Sequence, residues 1–296
     1  MQGEREKAKG QHTFAESDGL LSPFAFILLP LADSRLRCKR ESAIISAMSQ
    51  DTQIKSDPVI EAMFGAGAHY GYSKGRRHPS TQSFVFGAKN GVEIVDLEKT
   101  KSLLENAELF LKNFAAEGKS ILIVGTKKEA QSVVKEVAEG LGLNYVDHRW
   151  IGGTLTNWNE IKKRLLRLED LSFKKEKGEL NVYTKRERGM IDREIADLEM
   201  LFGGISGMRS LPHAIIIIDP REENTAVKEA IRIRIPVIAL ASTDCDLSEV
   251  DYPVVANDSA KASIRYFLEK FARAISLGKA EGVKSEVTAP KPEEKA

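Results

Sequence analysis

Residues 121–124 read Ile-Leu-Ile-Val, and Gly125-Thr126-Lys127-Lys128 comes directly after them. A fully apolar run of four residues is typical of a strand that is buried on both faces of a sheet. Further short apolar runs follow along the chain, at residues 144–146, 214–218, 236–241 and 254–255. Because helical patterns alternate with these runs, we predict an α/β fold with a parallel sheet covered by helices on both faces.

Residues 157–204 interrupt this alternation. Apolar residues recur there at spacings of three and four, and most other positions are charged. The two apolar seams consist of Trp158, Ile161, Leu165 and Leu168, then Ile191, Ile195, Leu198 and Phe202. We predict an inserted antiparallel helical hairpin of the coiled-coil type, whose seam residues mainly contact one another, except that Trp158 and Phe202 at its base are expected to pack onto the sheet. A hairpin this thin is typical of a projection that reaches a partner, although its charges also suit a solvated surface.

The two ends of the chain differ from the part between them. Residues 1–50 lack sustained periodicity, so we expect a disordered or misassigned N-terminal extension, with Met48 as a possible true start. Residues 279–296 are rich in Lys and Glu and contain two prolines, which predicts a disordered tail. These assignments leave residues 51–278 as one domain that carries the hairpin.

A basic patch stands out although the whole chain is nearly neutral. The 296 residues contain 44 Lys and Arg against 43 Asp and Glu, a net charge of +1. From Ala68 to Asn90 there is no Asp or Glu, and Asn90-Gly91 predicts the turn of a β-hairpin within this region. Cations interleaved with aromatic residues are typical of a phosphate-binding surface, although an ordinary solvated loop would have a similar composition. The candidate RNA contacts of the patch are Lys74, Arg76, Arg77, His78 and Lys89.

Residues 147–158, Asp-His-Arg-Trp-Ile-Gly-Gly-Thr-Leu-Thr-Asn-Trp, form a second candidate RNA contact. Cations can donate to phosphate, a Trp ring can stack on a base or ribose, and a Gly-Gly pair lets backbone N–H groups approach an anion. The other interpretation is a strand-to-helix turn with a buried Trp. The candidates here are His148, Arg149, Trp150, Gly152, Gly153, Thr154, Thr156 and Asn157.

The segment Gly125–Lys128 leaves two functions open. It lacks the P-loop and dinucleotide-binding patterns, but it follows a buried strand and opens a helix, where a mononucleotide phosphate could bind. Alternatively, Lys127 and Lys128 contact RNA phosphate. Carboxylates predicted at the same sheet edge could hold Mg²⁺, or could cap helix N-termini, which we prefer. They are Asp219, Glu222, Glu223, Asp244, Asp246 and Asp251.

Several classes of protein fit the sequence poorly. The five histidines have no zinc-ligand spacing, and no Ser or Cys occupies a nucleophile elbow. Cys38 and Cys245 are too few for a disulfide scaffold, which favours a reducing, cytoplasmic location. No run reaches the roughly 18–20 apolar residues of a membrane span. We therefore expect no catalytic residue, no metal, no cofactor and no membrane partner.

Taken in order, these motifs resemble the family of bacterial small-subunit ribosomal protein two, over about residues 55 to 277. The matching segments are 67–71, 86–91, 94–100, 124–128, 148–157, 211–212, 219–221 and 245–246. The resemblance implies a flavodoxin-like, doubly wound five-stranded parallel sheet with an inserted helical hairpin. It also implies a non-enzymatic constituent of the small ribosomal subunit that binds ribosomal RNA between head and body and supports translation. Its expected partners are that RNA and other small-subunit proteins, including the large one that delivers messenger RNA, and not DNA.

One segment departs from the family pattern. Where the family usually reads Arg-Trp-Asn-Pro-Lys-Met, this chain has Arg-Arg-His-Pro-Ser-Thr at residues 76–81. Arg77 therefore replaces a stacking Trp, and an arginine can still stack while it adds charge. The competing hypothesis is a soluble enzyme or switch of flavodoxin-like fold that binds a nucleotide at Gly125–Lys128.

Overall fold

The computed structural model describes residues 57–288, and only the backbone for residues 181 and 283–288. The expectations for residues 1–50 and for residues 289–296 lie outside the described residues. In chain order the elements are α1 (Pro58–Gly65), β1 (Tyr70–Ser73), β2 (Val85–Lys89), β3 (Val92–Val95), α2 (Leu97–Ala116), β4 (Ile121–Val124), α3 (Lys128–Leu141), β5 (Asn144–Val146), α4 (Trp158–Glu176), α5 (Lys185–Phe202), β6 (Ala214–Ile218), α6 (Asn224–Ile233), β7 (Val237–Ala241), β8 (Tyr252–Val255) and α7 (Lys261–Thr288).

Five strands form one parallel sheet in the order β5-β4-β6-β7-β8. Side chains alternate between its faces, so Ile121 and Ile123 join one core cluster while Leu122 and Val124 join the other. Helices α1, α2, α3 and α7 cover the first face, and α6 with the base of the α4–α5 hairpin covers the second. Burial on both faces explains the wholly apolar strands, and the predicted α/β fold with a flavodoxin-like sheet is confirmed.

A smaller antiparallel sheet, in the order β1-β3-β2, precedes the large one in the chain. Asn90 and Gly91 both have positive φ, 54° and 80°, as a two-residue hairpin turn requires. The backbone N–H of Tyr72 donates to Thr243 Oγ1 at 2.9 Å, and that of His78 donates to the Thr243 carbonyl at 2.9 Å. These bonds hold the basic patch against the carboxyl end of β7.

The hairpin has the predicted two helices, and a capping box of Thr184 and Glu187 begins the second. Its seam is not independent of the sheet, contrary to the sequence-based expectation. Ile161 and Leu165 pack in the same cluster as the second face of the sheet, and so does Phe202, as expected for a residue at the base. The satellite cluster consists of Leu168, Leu171 and Ile195. The base of the hairpin is part of the main core because it covers sheet area that α6 does not reach.

The last helix continues ten residues past Gly278, so the expected disordered tail is helical over residues 279–288. Gly278 and Gly282 lie against the backbone of α2, with no room for a Cβ atom. Lys112 pairs with Glu281 at 2.7 Å, and Lys279 Nζ donates to the Leu141 carbonyl at 2.9 Å. Docking onto α2 and α3 stabilises a segment whose composition alone favours disorder. None of the helices described is long and apolar enough to cross a membrane.

Candidate nucleic-acid interface

The candidate residues cluster at the carboxyl edge of the parallel sheet. The loops after β4, β5, β6, β7 and β8 open at this edge, since parallel strands end on the same side. The segment after β1 joins them, because Tyr72 Oη lies 3.1 Å from Lys127 Nζ and 2.9 Å from Ser259 Oγ. The structure therefore brings the basic patch close to the segment Gly125–Lys128.

Lys127 points inward to a pair of carboxylates. Its Nζ lies 3.1 Å from Asp219 Oδ2 and 3.3 Å from Asp258 Oδ2. Burial opposes charge on Lys127, but the two carboxylates outweigh it and raise its pKa. Burial and the nearby Asp219 raise the pKa of Asp258, whereas Lys127 overcomes burial and lowers the pKa of Asp219. Lys127 is thus the internal counter-ion of Asp219 and Asp258 in this site, and its proposed contact with RNA stays a prediction.

The carboxylates at this edge bind groups of the chain itself. Asp219, Cys245 and Asp258 lie close enough to share a cation, but the Lys127 ammonium already supplies positive charge there. Asp219 Oδ1 also accepts from the backbone N–H groups of Arg221 and Glu222. Asp246 accepts from Ser248, Asp251 accepts from the backbone N–H of Val237, and Asp244 accepts from the Arg221 side chain. These carboxylates therefore brace loops and a strand start, and none of the bonds named here is the helix N-cap that the sequence favoured.

The start of α3 is occupied by a glutamate. The backbone N–H of Thr126 donates to Glu223 Oε1 at 3.1 Å, and the Thr126 hydroxyl donates to the same oxygen. Burial raises the pKa of Glu223, although both Thr126 bonds oppose that shift. Gly125 is a packing residue, because a Cβ atom there would crowd Val134 and Ile218. Glu223 takes the place where a nucleotide phosphate would receive these donors.

The Gly-Gly segment is organised around Glu229, which lies buried on α6. Oxygen Oε1 of Glu229 accepts from Gly153 N at 2.7 Å and from Trp150 Nε1 at 3.3 Å. Its Oε2 accepts from the backbone of Leu155 at 3.0 Å and of Thr156 at 3.2 Å, and from Thr156 Oγ1 at 3.3 Å. Burial raises the pKa of Glu229, but the hydrogen bonds outweigh it and the pKa lies below its usual value.

Several candidates of this segment are therefore internal. Trp150 is 8% exposed and belongs to the core, so it presents no face to RNA. Thr154 is buried, and its hydroxyl donates to the Ile151 carbonyl at 2.6 Å. The amide of Gly153 approaches an anion as expected, but that anion is Glu229. The alternative interpretation of a strand-to-helix turn with a buried Trp describes this part of the loop.

A family model described as Ribosomal protein S2 matches residues 63–278. The chain belongs to the ribosomal protein S2 family. Its members are structural proteins of the small ribosomal subunit and not enzymes, which places this chain in the ribosome, in association with ribosomal RNA and other ribosomal proteins. The resemblance carried by the sequence motifs is confirmed.

In this ribosomal protein S2 family member, the basic patch divides into inner and outer residues. Arg77, at the family's Trp position, pairs at 3.1 Å with Glu93, whose side chain is 1% exposed. His78 begins a 3₁₀ helix, and its Nδ1 lies 2.8 Å from Ser80 Oγ. Arg76 stacks over the Tyr72 ring at 4.9 Å and stays exposed. Arg77 therefore serves the fold and Arg76 faces outward, whereas His78 contacts Ser80 and keeps 39% of its side chain exposed.

The outward-facing candidates form a shorter set than the sequence suggested. His148 is half exposed and pairs with Asp147 at 3.0 Å. Lys74, Lys89, Lys128 and Arg149 form no ion pair with any carboxylate among the described side chains. The exposed candidates are Lys74, Arg76, Lys89, Lys128, His148, Arg149, Gly152, Thr156 and Asn157.

Sequence reasoning missed the internal acids Glu93 and Glu229. It placed Glu223 among the carboxylates of this edge without its partner Thr126, and it did not make Tyr72 a site residue. A signal existed for Glu229, which lies three residues after Ala226 and directly before Ala230 on the apolar face of α6. A charged residue on such a face requires an internal partner. The partners themselves, more than 70 residues away in the chain, are determined by tertiary contacts.

Proposed function

We propose that this ribosomal protein S2 family member binds small-subunit ribosomal RNA with exposed cations at the carboxyl edge of its sheet. The observation that carries the proposal is the acid-free run of residues 68–90, from which Lys74, Arg76 and Lys89 face outward. None of these three has an ion-pair partner among the described carboxylates, so their charge is available to phosphate.

The loop after β5 and the start of α3 extend this surface. Arg149 and Lys128 add exposed cations, and His148, Gly152, Thr156 and Asn157 add polar groups beside them. Such groups suit phosphate and ribose contacts, which position a protein on RNA by shape and charge. Base-edge readout is not part of the proposal.

We also propose a finer role, which is suggested by the resemblance to the family. The bound protein supports translation, sits between the head and body of the subunit, and helps to recruit the large ribosomal protein that delivers messenger RNA. The competing nucleotide-binding function is disfavoured by Glu223, which already accepts the Thr126 donors at the start of α3.

The test removes the three outward cations of the patch together. A Lys74→Ala, Arg76→Ala, Lys89→Ala variant should bind protein-free small-subunit ribosomal RNA more weakly, because phosphate contacts are lost. Each lost contact should reduce the log–log salt slope by roughly 0.7–0.9, so the total reduction is about 2–3. Filter binding across a salt series measures it.

The matched control removes three lysines that are already neutralised, by Lys112→Ala, Lys119→Ala and Lys135→Ala. They pair with Glu281, Glu117 and Glu139. Equal salt slopes for the two triple variants would contradict the proposal. A loss of thermal stability without a loss of affinity in the patch variant would show that the patch residues are structural.

A further inference from the structure

We infer that Glu229 is a positioning residue for RNA binding, which holds the loop of residues 147–157 so that Arg149 and Asn157 face the RNA. The inference rests on the proposed function. Glu229 is the internal acceptor for one ring N–H, three backbone N–H groups and one hydroxyl of this loop. It touches no RNA itself, because it is buried on α6.

The loop has no regular structure, so its shape depends on these bonds. Its own backbone bonds are short-range, from Thr154 N to the Ile151 carbonyl and from Asn157 N to the Gly153 carbonyl. The amides of Gly153, Leu155 and Thr156 are satisfied by the carboxylate of Glu229. Without it, these amides would turn toward water, since an unpaired buried N–H is costly.

The exposed candidates lie next to the anchored residues in the chain. Arg149 directly precedes Trp150, whose Nε1 donates to Glu229, and Asn157 directly follows Thr156. The indole of Trp150 is also packed in the core. Because Arg149 is its neighbour in the chain, this packing also fixes the backbone at Arg149. The Glu229 carboxylate thus occupies the anion position at the Gly-Gly turn, where a phosphate would otherwise bind. The side chains of Arg149 and Asn157 remain available for RNA.

The substitution Glu229→Gln tests this with little change in shape. The amide oxygen can still accept from Gly153 and Trp150, but the amide NH₂ would face the donors of Leu155 and Thr156. We expect faster hydrogen exchange at Leu155 and Thr156, with exchange in the β-strands unchanged. Binding of the full chain to protein-free small-subunit ribosomal RNA should weaken about tenfold, the size of one charge-assisted contact.

A double-mutant cycle with Arg149→Ala separates positioning from general destabilisation. If Glu229 acts through the loop, Arg149→Ala weakens binding of the native protein about tenfold but changes that of the Glu229→Gln variant by less than about twofold. Lys74→Ala, which lies outside the loop, should keep its full effect in both backgrounds. Full additivity of Glu229→Gln with Arg149→Ala would overturn the inference.

Two further measurements keep the outcome clear. Glu223→Gln, which alters the buried acid that holds Thr126, is the matched control and should be additive with Arg149→Ala. If Glu229→Gln does not fold, Trp150→Phe removes a single donor to Glu229 and should show the same coupling on a smaller scale. If Arg149→Ala alone leaves affinity unchanged, the proposed RNA contact of this loop fails, and the inference fails with it.

Discussion

Three buried glutamates, Glu93, Glu223 and Glu229, organise the loops around the carboxyl edge of the sheet. Each accepts from polar groups of another segment, namely Arg77, Thr126 and the loop of residues 150–156. A buried carboxylate is tolerated only when donors or a cation compensate for the lost water. Some polar residues near this edge therefore bind internal acids, and others face the outer surface.

Arg77 should matter for stability more than for RNA binding. Arg77→Ala leaves Glu93 buried without its cation, and unfolding free energy should fall by about 2–3 kcal/mol, less than for a fully buried pair because Arg77 is partly exposed. Urea denaturation measures the change, and Arg76→Ala on the exposed neighbour is the control. The double variant Arg77→Ala, Glu93→Gln should recover part of the loss. An unchanged free energy of unfolding in the Arg77→Ala variant would show that water replaces the guanidinium.

At the scale of elements, the α4–α5 hairpin has two parts with different roles. Its base belongs to the sheet core through Ile161, Leu165 and Phe202. Its outer half is held by the small cluster of Leu168, Leu171 and Ile195, with surface ion pairs such as Arg167 to Glu194. Exposed pairs of this kind contribute little, so the outer half depends on the base for its order.

Two deletions should therefore behave differently. Replacing residues 167–196 with a short Gly/Ser linker should leave the sheet domain folded, because only the satellite cluster is lost. Replacing residues 159–201 in the same way should destabilise or unfold the domain, because it exposes the second face of the sheet. Circular dichroism with thermal melts compares them. Similar stability of the two variants would mean that the base is not part of the core.

At the scale of the whole molecule, α2 packs against both the first and the last helix of the described chain, α1 and α7. Helix α7 crosses α2 closely, with Gly278 against the Lys112 carbonyl and Gly282 against that of Ala116. Helix α7 also contacts α3, where Arg265 pairs with Glu136 at 2.7 Å. Three of the four helices that cover the first face of the sheet, α2, α3 and α7, thus contact one another.

We expect opposite effects on stability when two helical glycines are replaced by alanine, one at this crossing and one away from it. Gly278→Ala should destabilise the protein by about 1–3 kcal/mol, because the added methyl group would overlap the α2 backbone and force the helices apart. Gly140→Ala in α3 meets no atom within 4 Å and should stabilise it by up to about 1 kcal/mol through helix propensity. Differential scanning calorimetry of both variants is the measurement. A stabilising Gly278→Ala would show that the crossing is loose.

The sequence by itself determined the α/β class, the parallel strands, the Asn90-Gly91 turn and the two hairpin helices, because apolar periodicity and capping residues act over a few neighbours. The family could also be recognised from the sequence, through motifs spread over the chain. Tertiary structure alone decided which polar residues of those motifs face outward. Lys127, Arg77 and Trp150 each have an internal acid as partner. The acids that pair with Lys127 and Trp150 lie more than 70 residues away in the chain, and Glu93 lies 16 residues from Arg77. Docking onto α2 likewise decided that residues 279–288 are helical. Burial and pairing are properties of contacts between distant segments, and local composition does not encode them.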